Sequence, residues 1–437
     1  MTSLRGRALL SRRMLLGGAT AFAAQHASAE AGPRRPPALL RAALPGGMAD
    51  GLVARWMRVA DRFASDPQAT DWPRANTIAV VAMAMHDALN AVEPHYRRWK
   101  PRGRSEPHGL DAASPILAMS MAALTVLEGR NANPDLFAEA RDLFSAVMAA
   151  EDSEAARSAG AALGRAVAIA LLDDAGPRPE KRNFIVSDAQ GRWRPTPPLM
   201  MNSFIYLDRP FLFPNRHLML GPPPPDLGSA RYRTDVEEAW RMGGAGRTER
   251  SEAQTEAARF WVPQSLQRNV MQVLLRRIGE RPLPGGIWDE ARMVSILAVA
   301  YADTDVAVYA EKFHYSFWRP VTALNLGSSG VRTDPGWQAL LPTPAHPDYP
   351  SGHSADLATG TTVIAGLLGE APVRYQVLDR VGQPVREFPS LAAMLEECSE
   401  SRIWAGAHFR TAAQEGLRIG RTIAARALEQ VPPARWR

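Results

Sequence analysis

Between residues 175 and 230 proline falls so densely that no helix can cross the segment. Pro177, Pro179, Pro195, Pro197, Pro198, Pro210, Pro214 and the run Pro222 to Pro225 each remove a backbone donor and fix φ. On both sides of this stretch the pattern is helical. Before it, apolar residues recur every three or four positions, as in Val53, Trp56, Met57, Val59, Ala60 and again in Ile78, Val81, Met85, Ala88, Leu89, Val92. That texture runs from about 48 to 174 and includes alanine-rich segments at 113–130 and 134–172. It resumes at 233–242, 251–280 and 287–317, then in shorter pieces to 430. Alternating strand patterns are scarce and no internal repeat is evident. The expected fold class is all-α: helical bundles joined by a long, wrapping connector. The expected division is an N-terminal helical region with the connector (30–230) and a C-terminal helical domain (231–437).

The chain is long enough, at 437 residues and 46% hydrophobic, to bury a sizeable core. The single cysteine, Cys398, excludes an internal disulfide and any cysteine-built zinc or iron–sulfur centre. The formal charge of +6 falls to +2 once the four arginines of residues 1–29 are set aside, so the body offers no nucleic-acid footprint. Those first residues read as an address. Ser11-Arg12-Arg13-Met14-Leu15-Leu16 precedes a short apolar run, Gly17 to Ala24, and Ala27-Ser28-Ala29 is a small-x-small cleavage site. The paired arginines resemble a twin-arginine signal, which predicts export of a folded protein to the periplasm or beyond. An arginine-rich Sec signal or a retained anchor is the alternative. No later run reaches the ~18 uninterrupted apolar residues of a membrane span, so none is expected after signal removal.

Phosphate-loop, dinucleotide-binding and H-E-x-x-H zinc motifs are absent. Gly352-His353-Ser354-Ala355-Asp356 lacks the last glycine and the preceding strand of a serine-hydrolase elbow. Chemistry concentrates instead in residues 312–408. Lys312 and Arg319 are seven apart, which would place both cations on one helix face before Pro320 ends it. Lys312 is one of three lysines among 51 basic residues, a hint that a compact ammonium is needed there. Taken alone, the pair reads better as a solvated helix pair. Pro350-Ser351-Gly352-His353 precedes a helix expected over 354–368. Ser and Gly at such a start make an anion nest, or Ser351 is a simple N-cap. His353 stands where it could exchange a proton with a bound oxyanion. Arg402 and His408 are six apart, roughly 600° on a straight helix, so a break near Gly406 must intervene if both face one ligand. Otherwise His408 is a buried structural histidine. His86-Asp87 reads best as a polar pair on a buried helix.

In order these are K-x6-R-P, P-S-G-H and S-R-x5-H, which resembles the signature of the vanadium-dependent haloperoxidase and type 2 phosphatidic acid phosphatase superfamily. Further stretches resemble bacterial haloperoxidase-type proteins. These are Met85 to Val92, Trp193 to Pro198, and Lys312 to Tyr315 with Phe317 to Ala323. The resemblance implies an oxyanion cradle for vanadate, which phosphate can also occupy. Lys312, Arg319, Ser351, Gly352 and Arg402 would hold the equatorial oxygens, His408 would bond vanadium, and His353 would serve as the acid–base histidine. Within the family a histidine at the position of His346 marks algal bromoperoxidases, so His346 is a halide-site candidate. One departure stands out. Many members place an aspartate four residues after the metal-bonding histidine, but here that position is Ala412. Gln414, Thr411 or a backbone carbonyl is then expected to orient Nδ1 of His408.

The resemblance implies an enzyme that uses hydrogen peroxide to oxidise halide, bromide or iodide first, with a small organic acceptor. A homodimer is common in the group. The alternative is a periplasmic acid phosphatase that acts on a phosphoester through a phosphohistidine at His408. A third reading, from the missing aspartate, is a non-catalytic oxyanion-binding protein.

Overall fold

A computed structural model of the chain describes residues 51–430 apart from 67–72, 102–111, 131–136, 177–185, 196–208, 247–248, 263–264, 281–282 and 378–384. The leader and Pro177, Pro179, Pro197 and Pro198 lie outside the described residues. Among the described residues the architecture is all-α, with thirteen α-helices and one two-stranded ribbon.

The first five helices are α1 (Leu52–Ser65), α2 (Arg74–Val92), α3 (Pro115–Gly129), α4 (Ala138–Ala149) and α5 (Glu154–Ala175). The segment expected at 134–172 is two helices rather than one, because Ser153 caps α5 by accepting the Ala156 N–H. After the connector come α6 (Ala230–Gly243), α7 (Glu252–Trp261) and α8 (Leu266–Gly279). The expected 251–280 helix is likewise divided, and Pro263 falls in the sequence between its halves. The long α9 (Ile287–Tyr315) and short α10 (Pro320–Leu326) follow. The chain ends with α11 (Gly352–Leu368), the ribbon β1 (Val373–Tyr375) and β2 (Arg386–Phe388), α12 (Leu391–Trp404) and α13 (Arg410–Leu428).

One continuous apolar core runs from Val53 of α1 to Ala427 of α13. Its axis is α9, which packs against α2, α11 and α13 and is apolar on every side. By length and hydropathy alone, α5 and α9 could each cross a membrane. Neither is an uninterrupted apolar run, because each carries a few charges. In α9 that composition answers to burial: 89% of its most apolar window lies inside the protein.

The described parts of the connector run along α9 and the turn after it, which supply partners for several of their backbone groups. Trp193, fully buried, donates its N–H to Ser316 O at 2.7 Å, and Trp318 N–H returns to Gly191 O at 3.0 Å. Asp303 accepts the Phe211 and Leu212 N–H groups at 2.7 and 2.8 Å. Glu311, eight residues and roughly 12 Å further along the helix, accepts Gly221 N–H at 2.6 Å. Two buried carboxylates on one helix thus fix the track of a segment that cannot make its own ladder.

Two helices meet closely to form the floor of the site. A Cβ at Gly416 would lie 2.3 Å from Ser351 O, and one at Gly420 would lie 2.4 Å from Ala355 O. Only hydrogen fits at either place, so α13 presses directly on the first turns of α11. His86 and Asp87 sit elsewhere, fully buried in α2. His86 Nδ1 is 2.9 Å from Asp87, whose oxygens take the N–H groups of Trp99 and Lys100, both at 2.8 Å. The pair holds a loop.

Candidate active site

Three backbone devices bring the motif residues together. Lys312 and Arg319 do not share a helix face, contrary to the sequence expectation. The helix α9 ends at Tyr315, where Ser316 turns left-handed with φ 48° and donates to Lys312 O. Arg319 is the extended N-cap of α10, a conformation that the following Pro320 imposes. The second device is the start of α11, which begins at Gly352, two residues before the expected position. Ser351 is its N-cap: its Oγ accepts the Ser354 N–H, and the first intrahelical bond runs from Ala355 N to Ser351 O. The Gly352 and His353 N–H groups precede that bond and open toward the helix mouth. The third is the turn that ends α12. Ala405 caps it, Gly406 is left-handed at φ 71°, and the N–H groups of Ala407 and His408 fold back onto Arg402 O. This is a Schellman turn, the break expected at Gly406.

The residues so assembled are deeply buried. Lys312, Arg319, Arg402 and His408 are each no more than 2% exposed. Lys312 Nζ donates to the carbonyls of Pro347 (2.7 Å), Asp348 (3.0 Å) and Pro350 (2.5 Å). All three donors are therefore spent on clamping the 347–350 loop, and Lys312 lends the site its charge and the loop's shape. Arg319 donates to the backbone oxygens of His346 and Ala407 and reaches His346 Nδ1 at 3.0 Å and His408 Nε2 at 3.1 Å. Arg402 differs from both. Its Nε and Nη1 are buried and have no partner. Burial pulls Arg319 and Arg402 down to about 10 and Lys312 well below its ordinary value, and repulsion from neighbouring cations adds to the shift at Arg319 and Lys312.

The three histidines are held neutral. Burial lowers His346, His353 and His408 well below the ordinary value, and the neighbouring cations push the same way. His353 Nε2 is buried and without a partner, and the Trp261 and Val262 carbonyls at the end of α7 oppose the lowering of its pKa. His346 accepts from Arg319 and meets the Tyr309 ring edge-on at 5.8 Å.

Asp348 is the functional residue the sequence reading missed. Its carboxylate, fully buried, lies 2.9 Å from His408 Nδ1 and 3.8 Å from Arg319 Nη1. The ring N–H is not aimed along that contact, so both carboxylate oxygens still lack an aligned donor. Burial raises Asp348 to about 7 against the pull of Arg319 and Lys312. Gln414 and Thr411, the acceptors expected for His408, are instead engaged by Arg231 at 2.9 and 3.1 Å. The signal was present: a carboxylate lost at position 412 and another in the loop leading into Pro350-Ser351.

Lys312, Arg319 and Arg402 outnumber the buried carboxylates that act on them, Asp348 and Glu311, and a bound anion would relieve their mutual repulsion. Arg402 carries unspent donors, and a Cβ at Gly352 would meet nothing closer than Val308 at 3.8 Å, so there is room at the helix mouth. First-turn N–H groups and unspent guanidinium donors fit a tetrahedral oxyanion. Comparison with known proteins agrees. The family model for the VCPO second helical-bundle domain matches residues 292–433. The chain has the vanadium haloperoxidase fold. Vanadium chloroperoxidase of Curvularia inaequalis is 28% identical over 162 residues, 30% of this chain and 27% of that protein, so the match spans about a quarter of that relative. A bacterial vanadium-dependent iodoperoxidase superposes with a TM-score of 0.69 at 20% identity, over 87% of this chain and 95% of its own. An apo bacterial vanadium-dependent chloroperoxidase gives 0.57 at 15% identity, over 82% and 92%. Within this haloperoxidase fold the cradle lies where α9, α10, α11 and the α12–α13 turn converge.

Proposed function

We propose that the chain is a haloperoxidase-type enzyme that holds vanadate at His408 and uses hydrogen peroxide to oxidise a halide. The observation that carries this is Arg402, a fully buried guanidinium with two unspent donors beside two further buried cations. Bound vanadate would supply a Lewis-acid centre that activates peroxide without changing oxidation state. The chain's own residues do the rest. Arg402 and the Gly352 and His353 N–H groups bind the oxyanion, and the α11 dipole adds to their field. Ser351 fixes the cap that aims those N–H groups. Lys312 holds the loop and contributes charge. Arg319 ties His408 to His346. His353 Nε2, buried and without a protein partner, is the group that accepts and returns a proton. The neutral His346 ring, beside Arg319 and Tyr309, is the group proposed to bear on halide choice, with bromide and iodide favoured.

The test is dye bromination or iodination by purified protein with vanadate, peroxide and halide, omitting each in turn. Activity that needs all three supports the reading. Phosphomonoester hydrolysis that vanadate inhibits, with no halide oxidation, would make it an acid phosphatase. Vanadate binding with neither activity would make it an oxyanion-binding protein.

A further inference from the structure

We infer that Asp348 is the positioning carboxylate of His408, taking over from the loop side the task that position 412 on α13 leaves undone. Ala412 is fully buried and has no side-chain acceptor to offer, and its backbone oxygen is already taken by Ser351 N–H at 2.8 Å. Thr411 and Gln414 are turned to Arg231. Among the described residues Asp348 is the carboxylate within ion-pair distance of the His408 ring, at 2.9 Å from Nδ1. The opposite nitrogen, Nε2, is the nearer of the two to Arg319 Nη1, at 3.1 Å against 3.4 Å for Nδ1, and that guanidinium can only donate. A ring with a carboxylate at Nδ1 and a guanidinium at Nε2 carries its proton on Nδ1. That tautomer leaves the Nε2 lone pair for bonding to an oxyanion's central atom. Contacts of this kind often stay poorly aligned in ligand-free sites and tighten on binding.

The carboxylate is rigidly mounted. Lys312 grips the carbonyls on both sides of it and its own carbonyl, and Asp348 N–H donates to Phe317 O at 2.9 Å. Lys312 and Arg319 thereby act on His408 indirectly, through the loop that carries its partner.

The tautomer part stands on the structure alone, and the affinity part rests on the vanadate reading. Selective 15N-histidine labelling reports the tautomer of each ring. The His408 signal, identified by its loss in His408→Ala, is expected as the Nδ1–H form in the wild-type chain. In Asp348→Ala, and in Asp348→Leu, which fills the same space without an acceptor, it should move toward a mixture with the Nε2–H form. Equilibrium dialysis should then show the vanadate dissociation constant rising roughly 10–100-fold, the usual effect of losing a ligand's hydrogen-bond partner. A wild-type His408 in the Nε2–H form would overturn the pairing, as would an unchanged tautomer in both variants. An Nδ1–H wild type that binds no vanadate would leave the pairing standing and sink the cofactor reading instead.

Discussion

Arg402 and the two histidines of the cradle separate by role when each is removed alone. Arg402→Ala takes away the donors that no protein group satisfies, so folding should change little. Vanadate binding should weaken by roughly 2–5 kcal/mol, the range for removing one partner of a buried charge pair. Equilibrium dialysis with unchanged affinity would show that Arg402 serves another purpose. His408→Ala should abolish tight vanadate retention if, as proposed, its Nε2 lone pair is the bonding group. His353→Ala should keep vanadate but turn over slowly, since its unpartnered Nε2 is proposed to handle protons only. Equal loss of vanadate from both variants would refute this assignment. Much of this site was legible in the sequence, because the cations, the Ser-Gly helix start and the glycine before His408 each have a local cause. Asp348 was not legible in the same way. Its partner is sixty positions away, and only the three-dimensional closure of the Lys312 clamp brings the two together.

At the scale of helices and their joints, the α11–α13 contact is the most exacting. Gly420→Ala would set a methyl group against the Ala355 carbonyl, a backbone atom that cannot step aside. The expected cost is about 1–3 kcal/mol, read as a lower melting temperature. A melting temperature equal to the wild type's would mean the helices have slack. The Asp303 clamp should show itself through pH. Burial raises this carboxyl from 3.8 to about 7, so the folded chain holds its proton more tightly than the unfolded one. The resulting stabilisation is full below about pH 4 and fades as pH rises through about 7. Asp303→Asn should remove up to ~1.4 kcal/mol per pH unit of that slope. Parallel stability curves for the two proteins between pH 4 and 8 would contradict this. Helix existence was readable from the apolar period nearly everywhere. What escaped was where helices stop. The Ser153 cap that divides α4 from α5 and the left-handed Ser316 that ends α9 are single-residue events inside otherwise helical texture. The connector was legible as non-helical from its prolines, but its path was not, because Asp303 and Glu311 look like ordinary helix acids until the fold buries them.

For the whole molecule, the first question is how it reaches its place of work. Arg12 and Arg13, outside the described residues, are proposed to be read by a twin-arginine receptor. Changing both to Lys should hold the precursor in the cytoplasm, and undiminished periplasmic yield would indicate Sec export. The central helix gives that choice of route a mechanical consequence. A chain threaded unfolded through a lateral-opening pore offers its segments to lipid one after another. The 29 residues of α9, long and apolar enough to span a bilayer, would then behave as a stop-transfer signal. A chain that folds first has already spent that segment on its own interior. Replacing the leader with a Sec signal should therefore strand the protein in the inner membrane, at α5, which is reached first, or at α9. A single arrest at either helix would leave α1 to α4 facing the periplasm, while the motif residues from Ser351 onward stayed protected from protease on the cytoplasmic side.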